Sequence, residues 1–215
     1  MSLGERVNYE VHITSASDPT TFSRICSEIG VRPVHAHNIS NRAVVSTELL
    51  TQADGFGTKE EALAGMRAIA QKCRDTGLHV IREKVEINPR HADAPLEDHA
   101  RGEDYFEAHI RVVHPVGQRS SVLALRDELL GRGIVTWASY NTFKRVPEGS
   151  EVTMLTARSF TMGLPGFTQY AKEAYAYAVA HFALKPLIIE WAIADNNTAL
   201  DDVWTRVATD LVAAS

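Results

Sequence analysis

A chain of 215 residues with 45% hydrophobic and 23% charged side chains can bury a real core, as one large domain or two small ones. Its formal charge of -5 argues against a general nucleic-acid binder, which needs a dense Lys/Arg surface. No apolar run approaches the ~18 residues of a membrane span, the first residues lack a signal-peptide pattern, and Cys26 and Cys73 sit in predicted helices without disulfide or metal spacing; the expectation is a cytoplasmic protein with no membrane or nucleic-acid partner.

Val7 to Ser15 alternates, with Val11 and Ile13 on one face and Glu10, His12 and Thr14 on the other, the pattern of a half-buried strand. Asp18-Pro19 supplies an N-cap and a proline at the first helical position, Phe22, Ile25, Cys26 and Ile29 form a helical stripe, and Gly30 ends it. Val31 to Ile39 and Arg42 to Thr51 read as strands joined at Ser40-Asn41. Gln52 to Gly57 reads as a loop, and Thr58 and Glu61 form a capping box that opens a second helix ending at Gly77. Leu78 to Ile87 completes a strand-helix-strand, strand-helix-strand half. Asn88 to Gly102, rich in small and charged residues, reads as a linker.

The pattern then restarts. Asp104 to His114 is a strand, Arg119 to Leu130 a helix, Ile134 to Phe143 and Glu151 to Phe160 paired strands, Pro165 to Ala183 a helix and Pro186 to Ala194 a strand. A further helix is expected over Ala199 to Ala213. Glu10-Val-His12-Ile13 answers to Glu107-Ala-His109-Ile110. Gly30 answers to Gly133, Asn38 to Asn141, Arg42 to Arg145, and Leu78 to Leu184, in unbroken order. The chain is therefore divided into a first repeat over 1–88, a linker over 89–102, a second repeat over 103–195 and a helical extension over 196–215.

This repeated unit resembles the ferredoxin-like α/β plait, covering nearly the whole chain twice. The resemblance implies an α+β tandem duplication, each unit an antiparallel sheet with both helices on one face. Two such sheets would enclose a cleft between their open faces, and a homodimer formed through the sheets is compatible with that architecture.

The cleft would receive Glu10, His12, Glu107 and His109 as candidate acid–base residues, since histidine titrates near neutral pH and a carboxylate can orient it. Arg111, Lys84 and Glu190 are candidate substrate-binding residues on the same faces, with Glu190 in the place of Lys84. Trp137 and Trp191 are candidate aromatic walls. Arg111 and Lys144-Arg145 are basic spots able to meet a small anion. His35 and His37 lie two apart on one strand and have the spacing of a metal-chelating pair. The sequence names no cofactor. It supports a small-molecule-binding protein, as an enzyme using His/Glu chemistry on a small polar or anionic substrate. The alternatives are a non-catalytic ligand-binding or regulatory module, or a metal-dependent enzyme using His35 and His37.

His12-Ile-Thr14 also resembles half of the H-x-T pair of two-histidine phosphoesterases, with His109-Ile-Arg111 departing where that family has Thr or Ser. Ala108-His109-Ile110 resembles the opening strand of plait-fold extradiol dioxygenases, whose further histidine pattern does not follow. Neither likeness identifies a family.

Overall fold

Strand β1 (Val7–Ser15) sends Val11 and Ile13 beneath the helices and Glu10, His12 and Thr14 to the opposite side, as its alternation dictates. In this computed structural model of the chain, residues 4–40, 43–134, 136–144 and 146–201 are described. Helix α1 (Pro19–Ile29) begins where Asp18 accepts hydrogen bonds from the Thr20 and Thr21 amides, and ends at Gly30 with a left-handed φ of 77°. β2 (Arg32–Ser40) and β3 (Ala43–Gly57) follow. α2 (Lys59–Asp75) opens on the reciprocal Thr58–Glu61 capping box, and β4 (Val80–Ile87) completes the first half.

The second half comprises β5 (Tyr105–Pro115), α3 (Arg119–Gly131), β6 (Trp137–Asn141), β7 (Ser150–Ser159), α4 (Leu164–Val179), the two-residue β8 (Ala183–Leu184) and β9 (Ile188–Asp195). A 3-10 turn covers Thr198–Asp201; the remainder of the expected last helix, like Asn41 of the expected β2–β3 turn, lies outside the described residues. Among the described residues no helix is long and apolar enough to cross a membrane.

One stretch expected as a loop is strand. Residues 52–57 continue β3, and β1 pairs along it up to Val7 opposite Gly57. The Tyr9 ring lies across Gly55, and a Cβ there would stand 2.1 Å from Tyr9 Cζ, so a larger residue would have to push that ring aside.

The nine strands among the described residues belong to one sheet, in the order β7-β6-β2-β3-β1-β4-β9-β5-β8, and β5 also pairs with β7. The sheet therefore closes on itself as an eight-stranded antiparallel barrel, with β8 alongside β9 on the same flank of β5. Two seams join the halves. β2 pairs with β6 from Ala36 opposite Asn141 to Ile39 opposite Ala138, and β4 pairs with β9 from Lys84 opposite Asp195 to Ile87 opposite Trp191.

This corrects the expectation of a tandem ferredoxin-like duplication with two open sheets facing each other. An open sheet leaves two edge strands with unpaired N–H and C=O groups, which are costly to leave bare. Here the edges of one half hydrogen-bond to those of the other, and one wall results instead of two stacked layers. Period-two alternation is the same in either arrangement, so the strand patterns alone could not choose between them. The likenesses to two-histidine phosphoesterases and plait-fold extradiol dioxygenases, drawn on His12-Ile-Thr14 and Ala108-His109-Ile110, are corrected with it, since the sheet is one closed barrel.

The apolar core is a jacket between barrel and helices, and it crosses both seams. Under α1 and α2, Val11, Ile13, Phe22, Ile25, Met66 and Val85 pack with Phe106, Ala108, Phe167 and Trp191 from the second half. Under α3 and α4, Ile110, Val112, Leu125, Leu129 and Leu155 pack with Ile39 from the first. Each such large side chain contributes about 1.5–3 kcal/mol on burial. The segment between β4 and β5 carries neither helix nor strand but is tied down. Ala94 is buried in the core, and Leu164 N–H donates to Pro95 O at 2.7 Å.

Candidate active site

With the apolar residues turned outward, the polar faces turn inward. They line a chamber of about 280 Å3 inside the barrel. Eight strands enclose a space just wide enough for side chains or one small ligand. Glu10, His12, Glu107, His109, Lys84, Glu190, Arg111 and Trp137 all reach it, from β1, β4, β5, β6 and β9.

Pairing in register sets their partners. On β1 and β4, Glu10 stands opposite Glu86 and His12 opposite Lys84; on β5 and β9, Glu107 stands opposite Glu190 and His109 opposite Ile188. Glu190 therefore holds the place of Glu86, and Ile188 that of Lys84, which corrects the alignment read from the sequence.

His12 is tightly held. Its Nδ1 donates to the Thr51 carbonyl at 3.0 Å, and its Nε2 lies 3.0 Å from Glu86 and 3.2 Å from Glu10. A ring donating from both nitrogens is an imidazolium. Burial opposes that charge, but the hydrogen bonds and charges of Glu10 and Glu86 outweigh it and push the pKa to about 10. Glu10 is lowered despite its burial, chiefly by His12.

At the centre, Lys84 Nζ bridges Glu86 Oε1, at 2.7 Å, and Glu107 Oε2. The other Glu107 oxygen accepts from Arg158 Nε at 2.7 Å and from a second guanidinium nitrogen. All four side chains are less than a tenth exposed. Burial would neutralise such groups, and only the interlocked opposite charges keep them ionised. Against burial, Lys84 holds Glu86 well below the ordinary carboxylate range, and Arg158 and Lys84 lower Glu107. Below this layer Arg82 Nε donates to Asp195 at 2.9 Å, Tyr105 Oη donates to Asp195 at 2.6 Å, and the Arg158 guanidinium lies 4.2 Å from the Tyr105 ring centre.

His109 is placed differently. Its Nε2 lies 3.3 Å from Glu190 and 3.9 Å from Glu107, whose oxygens are engaged by Lys84 and Arg158, and its Nδ1 meets Thr156 Oγ1 at 3.1 Å. Burial opposes its charge, but the hydrogen bond to Glu190 and the nearby carboxylates raise its pKa. Glu190 is raised too, by burial and then by the charge of Glu86, against the hydrogen bond from His109. A carboxyl and an imidazole, both with raised proton affinity, thus lie in contact at the chamber wall.

Three expected site residues are placed elsewhere. Trp191 lies opposite Ile87 on the helix side of the wall, 3% exposed, with Nε1 donating to Asp104 at 2.9 Å. Its odd position beside the inward Glu190 already carried that signal. His35 and His37 do share a face, with ring centres 4.4 Å apart, but it is the outer face, since Val34, Ala36 and Asn38 are the β2 residues lining the chamber. His35 Nδ1 meets Thr142 Oγ1 at 2.9 Å and His37 Nδ1 meets Tyr140 Oη at 3.3 Å. Burial lowers the pKa of both rings. The proposed chelating pair thus lies across the wall from Glu10 and His12, which cannot join it as ligands.

Among the described residues the three metal-ligand-type side chains that converge are Glu86, Glu107 and His109, whose ligand atoms lie within 4.8 Å of one another. Lys84 already bridges the two carboxylates, so a divalent ion there would have to displace an ammonium group.

Sequence reasoning missed Arg158, Thr156 and Asp195. The first two follow by parity from Met154 along β7; Asp195 is hidden by the irregular register between Val85 and Glu86 in the β4–β9 pairing.

Fold and site together define a closed antiparallel barrel with an ionised, ligand-sized interior. No family model matches the chain, and no curated protein matches it. Among solved structures it is similar to an anthrone oxidase-like protein at 12% identity and a TM-score of 0.30, over 89% of this chain and 93% of that one. It is also similar to provisionally assigned monooxygenases from Fusobacterium nucleatum (7% identity, TM-score 0.28, 89% and 93% covered) and Lactobacillus acidophilus (10% identity, TM-score 0.27, 87% and 93% covered).

Proposed function

We propose that the protein binds a small polar or anionic molecule inside the barrel and moves a proton on it through the His109–Glu190 pair. The observation that carries this reading is the contact of His109 Nε2 with Glu190 at 3.3 Å, at a wall of the chamber where the facing residue is the apolar Ile188. A general acid or base works best when its pKa lies near the pH of the medium, and burial moves the Glu190 carboxyl upward in that direction. Val34, Leu50, Val152, Met154 and Trp137 offer apolar surface to the body of the ligand. In this reading Glu107, Lys84 and Arg158 are an ionic frame that fixes the pair. His12 is a fixed positive charge.

The test is solvent-deuterium incorporation, followed by NMR, into a panel of small carbonyl and carboxylic acids. Exchange by the native protein, lost in Glu190→Gln and His109→Gln with folding intact, is the expected result. A compound that binds in the chamber and exchanges at the same rate with and without Glu190 would point to the non-catalytic binding module.

A further inference from the structure

Two cations from distant parts of the chain line the chamber, and a third stands beside them. Arg111 on β5 and Lys144, which follows β6, both line it, and Lys185 is fixed beside Arg111 by its amide donating to the Arg111 carbonyl at 3.0 Å. Elsewhere in the interior the charges are answered: Lys84 by Glu86 and Glu107, Arg82 by Asp195, Arg158 by Glu107. Here they are not. Among the described residues no carboxylate lies within ion-pair distance of Arg111, Lys144 or Lys185, and the Arg111 Nε is buried with no hydrogen-bond partner. Leaving a buried guanidinium nitrogen unpaired is costly unless an acceptor arrives from outside. Arg32 adds positive charge nearby, although its own guanidinium is paired with Asp54 at 2.7 Å. Burial, then the charges of Lys185, Arg111 and Arg32, lower the proton affinity of Lys144, the mark of a cation held against its own kind.

We infer that Arg111, Lys144 and Lys185 form an oxyanion-binding subsite, and that the substrate of the proposed proton transfer carries a carboxylate or phosphate group there. The inference rests on the proton-transfer reading for its substrate, but the anion subsite can be tested alone. Arg111 follows His109 by two residues on β5, so its Cα lies roughly 7 Å along the strand from that of His109. A carboxylate or phosphate held by Arg111 would thus place an atom a few bonds away against His109 and Glu190. A planar guanidinium can meet such an oxyanion with paired hydrogen bonds, and the two ammonium groups add point charge.

The probes are inorganic phosphate and acetate, titrated calorimetrically at low ionic strength against the full chain, with chloride as control. The expected result is saturable binding of at least one probe, weakened about tenfold by Arg111→Gln, the loss of one charge-assisted hydrogen bond. Lys144→Gln and Lys185→Gln should weaken it by smaller factors. Lys144 is exposed, so its variant tests the subsite even if Arg111→Gln disturbs folding. The preferred probe separates a phosphate-bearing from a carboxylate-bearing substrate. Binding unchanged in all three variants, or no binding beyond that of chloride, would overturn the inference. Glu190→Gln should bind the probe as the native protein does; lost exchange there with retained anion binding keeps the two readings distinct.

Discussion

His12 on β1 and His109 on β5 each follow a glutamate by two residues and each turn Nε2 toward a carboxylate, yet their surroundings give them different work. His12 meets Glu10 and Glu86 together, across from Lys84. His109 meets Glu190, because Glu107 is taken by Lys84 and Arg158, and it stands across from Ile188. The difference begins one strand away. Glu10 has the exposed Asp54 opposite it on β3, whereas Glu107 has Arg158 opposite it on β7. An arginine in the second half withdraws a carboxylate from its histidine, and a lysine from the first half completes the withdrawal. Equal motifs thus become a histidine locked between two carboxylates and a histidine set against one.

The comparison breaks most visibly in turnover. Glu190→Gln should lower proton exchange by about 10²–10⁴-fold, the usual contribution of a positioned acid or base, whereas Glu10→Gln should leave it within about tenfold. Equal losses in both would make the halves chemically alike. Stability is touched next. Lys84→Met strands Glu86 and Glu107 without their shared cation and should cost about 3–5 kcal/mol in urea unfolding. A loss below about 1 kcal/mol would mean that Arg158 and His12 suffice.

The pH dependence of stability separates the histidines further. The folded pKa of His12 is raised from 6.5 to about 10, so its stabilisation is full below 6.5 and is lost as pH rises through about 10. Glu10 and Glu86, lowered from 4.5, stabilise above that value and lose their contribution as pH falls. Denaturant midpoints of native protein should therefore decline toward pH 10, and His12→Gln should flatten that alkaline limb. An unchanged limb would remove the imidazolium from the account. The smallest effect is optical: ligand entering the chamber should change the emission of Trp137, and the change should vanish in Trp137→Phe but persist in Trp191→Phe.

Much of this was legible in the residues. Strand parity put Glu10, His12, Glu107, His109, Arg111, Lys84 and Glu190 on polar faces, and those faces do line one chamber. Parity also held the correct place of Trp191, one residue along from the inward Glu190 and so on the helix side. What could not be read were the partners across seams. The closeness of Lys84 to Glu107 depends on β4 meeting β9, and no local pattern encodes which edges meet. His35 and His37 show the converse: their shared face was predictable, but which side of the wall it occupies followed from the register of β2 on β3 and of β3 on β1.

By itself the sequence determined the alternation of β1 and β5, the caps of α1 and α2 and the recurrence of Glu-x-His-Ile, since these depend on neighbours a few residues apart. Only the tertiary structure decided that open edges would close into one barrel, that its charges would interlock in the interior, and that two like histidines would differ. Those outcomes depend on which distant strands hydrogen-bond, and on burial, which turns a neighbour's charge into a change of proton affinity.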